Sequence, residues 1–300
     1  MSPVTVRVPA KVNLELAVGA LEADGYHDVA TVYQAVSLFD DVTALPGDHL
    51  TVSIEGEGSD VVPTDASNLA LVAAHVLAEH IGVEPRAHLH IHKAIPVAAG
   101  LAGGSADAAG ALLALDRLWE SRLDRDELVD LAASVGSDVP FALVGHTAMG
   151  LGRGDKLTPA LARGHFHWVF AFANEGLATP AVYRELDRLR GGSVQAEPRV
   201  SDALMSALRA GNAVTLGSSL ANDLQRAAVS LRPGLSRTLD VGDEYGALGT
   251  VVSGSGPTCA FLARDEEHAL DLAVALTASG TCRSVASAVG PVPGARVVDG

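Results

Sequence analysis

Residues 96–109, with the sequence PVAAGLAGGSADAA, form the most informative stretch of this chain. They join a flexible loop of Gly and Ala to a helical pattern that is rich in Ala and Leu. Glycine lets a backbone approach a ligand closely. A helix that begins at Gly103 or Gly104 and ends near Leu118 directs its free N–H groups and its positive dipole end into the loop. The stretch therefore predicts a phosphate-binding loop at the start of a helix.

Two better-known phosphate-binding motifs do not fit this loop. A Walker A motif ends in Gly-Lys-Ser or Gly-Lys-Thr, and no Lys lies between Gly100 and Ser105. A dinucleotide-binding fingerprint needs the spacing G-x-G-x-x-G, which is also missing. A short glycine motif can also be a flexible connection that merely caps a helix. The loop alone leaves that alternative open.

The composition describes an acidic globular protein. The 300 residues are enough for one large or two moderate domains. A hydrophobic content of 48% and a charged content of 19% are typical of a folded core rather than of disorder. The net charge of -15 argues against general affinity for nucleic acid or anionic membranes. It leaves a nucleotide possible as a ligand, because a local phosphate site can be positive inside an acidic molecule.

Cysteine usage and the N-terminus indicate a compartment. Cys259 and Cys282 form no disulfide framework and no C-x-x-C site. Residues 1–11 lack a basic segment followed by an apolar run, and apolar stretches elsewhere are shorter than a membrane span. We therefore expect a cytoplasmic protein with no membrane partner. The sequence does not indicate its oligomeric state.

Strand and helix patterns alternate loosely, and hairpin signals dominate the first part of the chain. Alternating apolar residues predict strands over 4–8 and 12–18, and Ser67 or Asn68 is predicted to cap a helix. We place a domain boundary after a Gly-rich segment, so that the two units are residues 1–155 and 156–300. The pattern favours an α+β fold with two lobes over a doubly wound parallel sheet.

Three separated segments together resemble a superfamily of small-molecule kinases. They are PAKVNL at 9–14, the loop at 96–109, and SGSGPT at 253–258. In this order they are similar to galactokinase, homoserine kinase, mevalonate kinase and phosphomevalonate kinase, the GHMP kinases. The resemblance implies an N-terminal, ribosomal-protein-S5-like ATP-binding lobe and a C-terminal, ferredoxin-like lobe that completes the acceptor site. It also implies a cleft between the lobes.

Three shorter motifs narrow the resemblance within this superfamily. They are KVNL at 11–14, DGYH at 24–27 and GSDVPF at 136–141. They are similar to the kinases that phosphorylate a cytidine-diphosphate-linked sugar alcohol on the non-mevalonate route to isoprenoid precursors. The resemblance runs over about residues 6–289, and it implies this compound and ATP as the two small-molecule partners.

Asp138 and Lys11 are the predicted catalytic pair. The attacking hydroxyl in a phosphoryl transfer must lose a proton, and a carboxylate within hydrogen-bond reach can accept it. The resemblance gives this role to Asp138, although its local sequence would equally suit an Asp that stabilises a turn. Lys11 would hold the acceptor oxygen and its developing charge. A lone strand lysine is ordinarily solvated, and that alternative also stays open.

The resemblance implies an acceptor site with two aromatic rings. A cytosine ring would stack between Tyr26 and Tyr183, because flat aromatic rings suit a nucleobase. His27 would hydrogen-bond the polar edge of the base, Asn13 would bind near the acceptor hydroxyl, and Thr179 would complete the site. Either tyrosine could instead be a half-buried packing residue.

The resemblance also implies a donor site that follows the loop. The predicted ATP contacts are Pro96, Gly100, Leu101, Ala102, Gly103, Gly104, Ser105 and Ala106, with Asn68 and Lys93 toward adenine. The resemblance also marks a second, C-terminal glycine loop of Gly254, Ser255 and Gly256 as part of the site. Ala102 and Ala106 stand where the family usually has Gly and Ser. Asn68 could equally be a helix cap and Lys93 a surface charge. Mg²⁺ would arrive with ATP rather than sit in a protein cage, and the hydroxyl of Ser105 could contact it.

Other functions stay open at this point. A homoserine- or mevalonate-type kinase would share the loop but would not need Tyr26 and His27. A related decarboxylase would release carbon dioxide after phosphorylation. A non-catalytic ligand-binding relative would have no need of both Lys11 and Asp138.

Three histidines on one predicted strand raise the question of a metal site. His88, His90 and His92 alternate on one face of a predicted strand. Three imidazoles at this spacing could suggest a metal site, but no matching carboxylate or thiolate accompanies them. We interpret them as a solvated strand face.

Overall fold

The computed structural model describes residues 2–23, 25–193 and 195–298. Its first sheet has eight described strands: β1 (Val4–Leu21), β2 (His27–Leu45), β3 (Thr51–Gly56), β4 (His88–Lys93), β5 (Thr147–Gly152), β6 (Lys156–Pro159), β8 (Ala221–Asn222) and β12 (Arg296–Val298). The main path runs β12-β1-β2-β4-β3. β5 pairs with β2 and carries β6, while β8 pairs in parallel with β1.

The hairpin of β1 and β2 is longer than the sequence pattern predicts. The strands predicted over 4–8 and 12–18 are confirmed, and the structure joins both ranges into the single strand β1. Pro9 does not end the strand because the β1–β2 register shifts between Pro9 and Ala10. A bulge at such a shift tolerates the missing N–H of proline.

Four helices cover this sheet: α1 (Leu69–Ile81), α2 (Gly103–Leu118), α3 (Arg125–Val135) and α4 (Val139–Val144). The predicted start and end of α2 are confirmed, and so is the cap of α1, where the Asn68 side chain accepts from the N–H of Ala70. α2 packs directly on β1 and β2. Small residues on α2 permit this close approach. At Gly110, for example, an added Cβ would collide with Val42 and Val8. α4 was not predicted.

The second sheet is antiparallel and has the order β11-β7-β10-β9. Its strands are β7 (Phe166–Phe172), β9 (Gly249–Val252), β10 (Cys259–Ala263) and β11 (Ser284–Gly290). The helices of this half are α5 (Thr179–Arg190), α6 (Asp202–Ala210), α7 (Ala213–Gly217), α8 (Gln225–Leu231), α9 (Gly234–Glu244) and α10 (Glu266–Ser279). The buried Trp168 donates its Nε1–H to Gln34 Oε1 at 2.9 Å, which ties the second sheet to the first.

The two sheets and their helices confirm the α+β class. The proposed boundary near residue 155 falls in the turn between β5 and β6, and the chain enters the second sheet at β7. β12 then returns to the first sheet and pairs with β1, which the sequence did not reveal. In the described part of the chain, no helix combines the length and apolar character needed to span a membrane.

Candidate active site

A cavity of about 880 Å³ is lined by residues from both halves of the chain. The predicted site residues on its wall are Lys11, Asn13, Tyr26, His27, Gly100, Ala102, Gly103, Gly104, Ser105, Asp138, Thr179, Tyr183, Gly254, Ser255 and Gly256. The structure therefore brings the predicted catalytic pair, the phosphate-binding loop and the predicted acceptor residues into one space.

The phosphate-binding loop forms one wall of this cavity. α2 begins at Gly103, so the free N–H groups of its first turn lie at the loop. Gly100 has a φ of 76° and Ala102 a φ of 60°, both in the left-handed region that favours glycine. A Cβ added at Gly104 would meet only Leu69 Cδ1, at 3.6 Å. The wall is thus mostly backbone, which suits a phosphate group.

Three predicted ATP contacts lie behind this wall instead of on it. Pro96, Leu101 and Ala106 are buried, and none of them lines the cavity. Leu101 and Ala106 belong to the hydrophobic core, where they hold the loop against α2 and the first sheet. Their assignment as ATP contacts stays a prediction, and such contacts would use backbone groups because the side chains are buried.

Lys11 lies in a buried polar cluster at the cavity. Its side chain is only 7% exposed, so it is not a solvated strand lysine. The Nζ donates to Asn13 Oδ1 at 2.6 Å and lies 3.6 Å from Asp138 Oδ2. Asn13 in turn donates to Thr31 Oγ1 at 2.8 Å. The backbone N–H of Lys11 donates to the carbonyl of Leu101 at 3.2 Å, which fixes the lysine beside the phosphate-binding loop.

Asp138 directly precedes α4, and its carboxylate faces the cavity. It forms no capping bond to that helix, so the structure does not support the alternative that it stabilises the turn. Tyr33 donates its hydroxyl to Asp138 Oδ1 at 3.0 Å. The other oxygen, Oδ2, is the one closer to Lys11, and it receives no hydrogen bond from Tyr33. The carboxylate is thus oriented from one side and open on the other.

Tyr33 lines the same cavity and contacts Asp138, although no sequence motif pointed to it. Burial, together with the nearby Asp138, raises the pKa of Tyr33 well above its ordinary value, so it stays a neutral hydrogen-bond donor. Lys11 Nζ lies 5.5 Å from its ring centroid. Tyr33 sits inside a long apolar strand and has no motif of its own. Its position opposite Asn13 across β1 and β2 places it at the cavity, and this register is visible only in the folded sheet.

One face of α5 forms the opposite wall. Thr179, Tyr183 and Asp187 recur every four residues and all line the cavity, while Val182 and Leu186 turn into the core. Burial raises the pKa of Tyr183 to about 12, and Asp138 adds to this effect. The ring of Tyr183 contacts that of His27, with centroids 5.1 Å apart and planes tilted by 35°.

Tyr26 and His27 have different surroundings although they are neighbours. Tyr26 is 54% exposed, and the guanidinium carbon of Arg153 lies 4.9 Å from its ring centroid. His27 is buried, and its Nε2 lies 2.9 Å from Asp187 Oδ1. Asp24, the first residue of the DGYH motif, lies outside the described residues. Arg153 and Asp187 also line the cavity, although no sequence motif pointed to them.

The second glycine loop closes the cavity from the C-terminal half. Ser253 donates its hydroxyl to the carbonyl of Gly100 at 3.1 Å, so the two glycine loops touch. Thr179 and Ser255 share a hydrogen bond of 2.8 Å between their hydroxyls. Asn222 donates to the carbonyl of Gly254 at 2.7 Å. These bonds hold Gly254 beside Lys11, and both residues line the cavity.

Asn68 and Lys93 lie outside the main cavity, on a smaller one of about 160 Å³ that shares Leu69, Ala98 and Gly104 with it. Asn68 caps α1, as one of the two interpretations had it. The predicted role of Asn68 and Lys93 in binding adenine stays a prediction.

Lys93 is not a surface charge. It is buried, and its Nζ donates to Asp40 at 2.6 Å and to Asp107 at 2.7 Å. Burial favours a lower pKa for Lys93, but the two carboxylates outweigh it and raise that pKa. Burial also raises the pKa of Asp107 to about 7, against the opposing effect of Lys93. This triad anchors α2 behind the phosphate-binding loop.

Two of the three histidines of β4, His88 and His90, form hydrogen bonds with neighbouring side chains. His88 contacts Thr51 and Ser53, and His90 contacts Ser53 and Glu55. Within residues 2–23, 25–193 and 195–298, no group of three or more His, Cys, Asp and Glu side chains could hold a metal ion. His92 is exposed. The strand-face interpretation agrees with these contacts.

Two family models match the chain on either side of this cavity. The model "GHMP kinases N terminal domain" matches residues 68–146, and "GHMP kinases C terminal" matches residues 204–282. The fold and the cavity thus define a GHMP kinase. A structure of homoserine kinase from Cytophaga hutchinsonii shares this fold, with a TM-score of 0.75 at 18% identity over 99% of this chain and 98% of the other.

Relatives with higher sequence identity narrow the class to one family of kinases. A 4-diphosphocytidyl-2-C-methyl-D-erythritol kinase of Thermobifida fusca is 55% identical over 98% of both chains, and one of Streptomyces avermitilis is 56% identical over 98% of this chain and 99% of its own. A crystal structure of 4-(cytidine 5'-diphospho)-2C-methyl-D-erythritol kinase has a TM-score of 0.76 at 33% identity, covering 95% of this chain and 98% of its own. The chain belongs to the 4-diphosphocytidyl-2-C-methyl-D-erythritol kinase family.

Proposed function

We propose that this protein transfers the terminal phosphoryl group of ATP to the 2-hydroxyl of 4-diphosphocytidyl-2-C-methyl-D-erythritol, within the non-mevalonate isoprenoid pathway. The observation that carries the proposal is the meeting of Asp138, Lys11 and the phosphate-binding loop in one cavity. The names of the relatives support the choice of acceptor. The free thiols of Cys259 and Cys282 are compatible with the cytoplasm as the compartment.

In this proposal Asp138 is the general base. Tyr33 holds Oδ1, so Oδ2 is the oxygen available to accept the proton of the acceptor hydroxyl. Lys11 lies 3.6 Å from Oδ2 and would stabilise the negative charge that develops as the hydroxyl attacks. Asn13 keeps the ammonium in place through its 2.6 Å hydrogen bond. Transfer would be direct, because the loop and the predicted acceptor residues line the same cavity.

The donor side suits ATP carried with Mg²⁺. The backbone at Gly103 and Gly104 and the helix N-terminus would bind phosphate oxygens. We infer that Mg²⁺ would be held mainly by those oxygens, with the Ser105 hydroxyl as the protein ligand on the cavity wall. When bound, the ion would neutralise the crowded phosphate charge during transfer.

The acceptor side suits a nucleobase. Tyr183 offers a half-buried ring, and Tyr26 offers a more exposed one at the same cavity. We propose that the cytosine stacks on these rings and that the polar edge of the base meets His27. Thr179 and Ser255, already bonded to each other, would border the rest of the acceptor.

The test is ADP production with a panel of acceptors. The expected result is turnover with 4-diphosphocytidyl-2-C-methyl-D-erythritol and none above background with homoserine or mevalonate. Mass spectrometry of the product would show one added phosphoryl group and no loss of carbon dioxide. Turnover only with homoserine or mevalonate, or carbon dioxide release, would overturn the proposed acceptor.

A further inference from the structure

His27 and Asp187 form a hydrogen-bonded pair at the main cavity. His27 Nε2 lies 2.9 Å from Asp187 Oδ1, and the two residues are 160 positions apart in the chain. Both line the main cavity. The His27 side chain is 5% exposed, whereas that of Asp187 is 41% exposed, so the carboxylate reaches the buried imidazole from the cavity side.

The carboxylate decides which ring nitrogen of His27 carries the hydrogen. A carboxylate oxygen can only accept a hydrogen bond, so the hydrogen of this contact belongs to Nε2. In a neutral imidazole the other nitrogen, Nδ1, is then left as an acceptor. Nδ1 has no hydrogen-bond partner among the residues that the structure describes. The pair therefore presents an acceptor to the ligand.

Tyr183 fixes the plane of the same imidazole. Its ring lies 5.1 Å from that of His27, centroid to centroid. Tyr183 and Asp187 are four residues apart on α5, so one helix face supplies both the ring contact and the carboxylate. α5 itself is anchored to β1, because Arg190 donates to the carbonyls of Gly19 and Val18 at 2.9 and 2.7 Å. The orientation and the tautomer of His27 are thus set by one rigid element.

We propose that Asp187 is a positioning residue that makes the site specific for a cytosine base by holding His27 as a hydrogen-bond acceptor. This inference rests on the proposed function and adds the means of base selection. The 4-amino group of cytosine is a donor and satisfies an acceptor at Nδ1. Uracil has an oxygen at that position, so two acceptors would face each other. A site that presents a fixed polar group rejects the mismatched analogue strongly, because that group is left unpaired.

The experiment compares binding of CDP and UDP by calorimetry at about pH 8. A saturating non-hydrolysable ATP analogue keeps both probes out of the donor site. The wild type is expected to prefer CDP by about tenfold or more, the value of one good hydrogen bond. In Asp187→Asn the amide can donate to Nε2 or accept from it, so both tautomers become available. The preference is then expected to fall below about threefold.

Glu185→Gln is the matched control. It makes the same chemical change on the same helix, but Glu185 binds Arg188 and Ser230 instead of the imidazole. Its CDP preference is expected to equal that of the wild type. Nitrogen NMR of the His27 ring gives a second readout that does not depend on the variant, and the expected result is the Nε2–H tautomer.

The outcomes separate this inference from the proposed function. An unchanged CDP preference in Asp187→Asn, or an Nδ1–H tautomer in the wild type, would overturn the role of Asp187 while turnover of the cytidyl acceptor continued. Equal binding of CDP and UDP by the wild type would do the same. If the wild type neither bound CDP nor turned over the cytidyl acceptor, the proposed function itself would fail.

Discussion

The two walls of the cavity are built in different ways. The phosphate wall is one continuous stretch of chain around Gly100–Ser105, and it offers mainly backbone groups at a helix start. The acceptor wall gathers side chains from separate elements, and His27 and Asp187 on it are 160 positions apart. A wall made of backbone depends on local conformation, whereas a wall made of side chains depends on the whole fold. Substitutions should therefore act differently on the two sides.

The largest effect is expected where the two walls meet, at Asp138. Asp138→Asn should lower kcat by about 10²- to 10⁴-fold, because the amide cannot accept the proton of the acceptor hydroxyl. ATP binding should change little, since Asp138 is not part of the phosphate-binding loop. Steady-state kinetics and an ATP titration check both points. Asp130→Asn, exposed on α3, is the matched control, and near-normal turnover by Asp138→Asn would remove the general-base role.

A smaller and more selective effect is expected on the acceptor wall. Tyr183→Ala should raise the KM of the acceptor by about ten- to a hundredfold, since one base–aromatic stack contributes roughly 1–3 kcal/mol. The KM of ATP should stay nearly constant. Tyr26→Ala should act in the same direction, with less risk to the fold because Tyr26 is 54% exposed. If both KM values instead rose together while the melting temperature fell, the tyrosines would be packing residues.

The opposite selectivity is expected on the phosphate wall. Gly104→Val should weaken ATP binding by about tenfold and spare the acceptor, because its side chain would stand where phosphate oxygens approach the helix start. The fold should tolerate it, since only Leu69 lies near an added Cβ. Gly100→Ala is the contrasting variant, because its Cβ would collide with the carbonyl of Ser253 and should lower the melting temperature. Separate titrations with ATP and with the acceptor measure the two affinities. If Gly104→Val weakened both equally, the assignment of Gly104 to the phosphate site would be contradicted.

The smallest effect is expected at Ala102, on the same wall. Its φ of 60° is strained for any residue with a Cβ. Ala102→Gly should therefore raise the free energy of unfolding by about 0.5–1 kcal/mol, which denaturant titration would show. Ala111→Gly, in the interior of α2, should have the opposite sign. A loss of stability in Ala102→Gly would mean that the left-handed conformation there is not strained.

The same contrast between the walls explains what the sequence could predict. The glycine loop and the bounds of α2 follow from residue chemistry within one short segment, and α2 begins and ends as predicted, while phosphate binding by the loop stays a prediction. Lys11 and Asp138 needed the resemblance, because each alone has a common structural interpretation. Their contact is set by the pairing of β1 with β2 and by the start of α4, which local patterns do not reveal.

Other residues escaped the sequence for identifiable physical reasons. Tyr33 lies in an apolar strand, and only its register opposite Asn13 places it at the cavity. Asp187 looks like an ordinary charge on a surface helix until α5 is docked against β1. Lys93 has the sequence context of a surface charge, but Asp40 and Asp107 bind it in the interior, while its role toward adenine stays a prediction. In each case the decisive neighbour is remote in sequence.

The hydrogen bond from Ser253 to the carbonyl of Gly100 has a consequence for the order of folding. It joins residues 153 positions apart, and contacts of such long range form slowly because a large loop must close first. Synthesis proceeds from the N-terminus, so the phosphate-binding loop leaves the ribosome well before the segment that will support it. Catalytic competence should therefore be among the last properties that a nascent chain acquires.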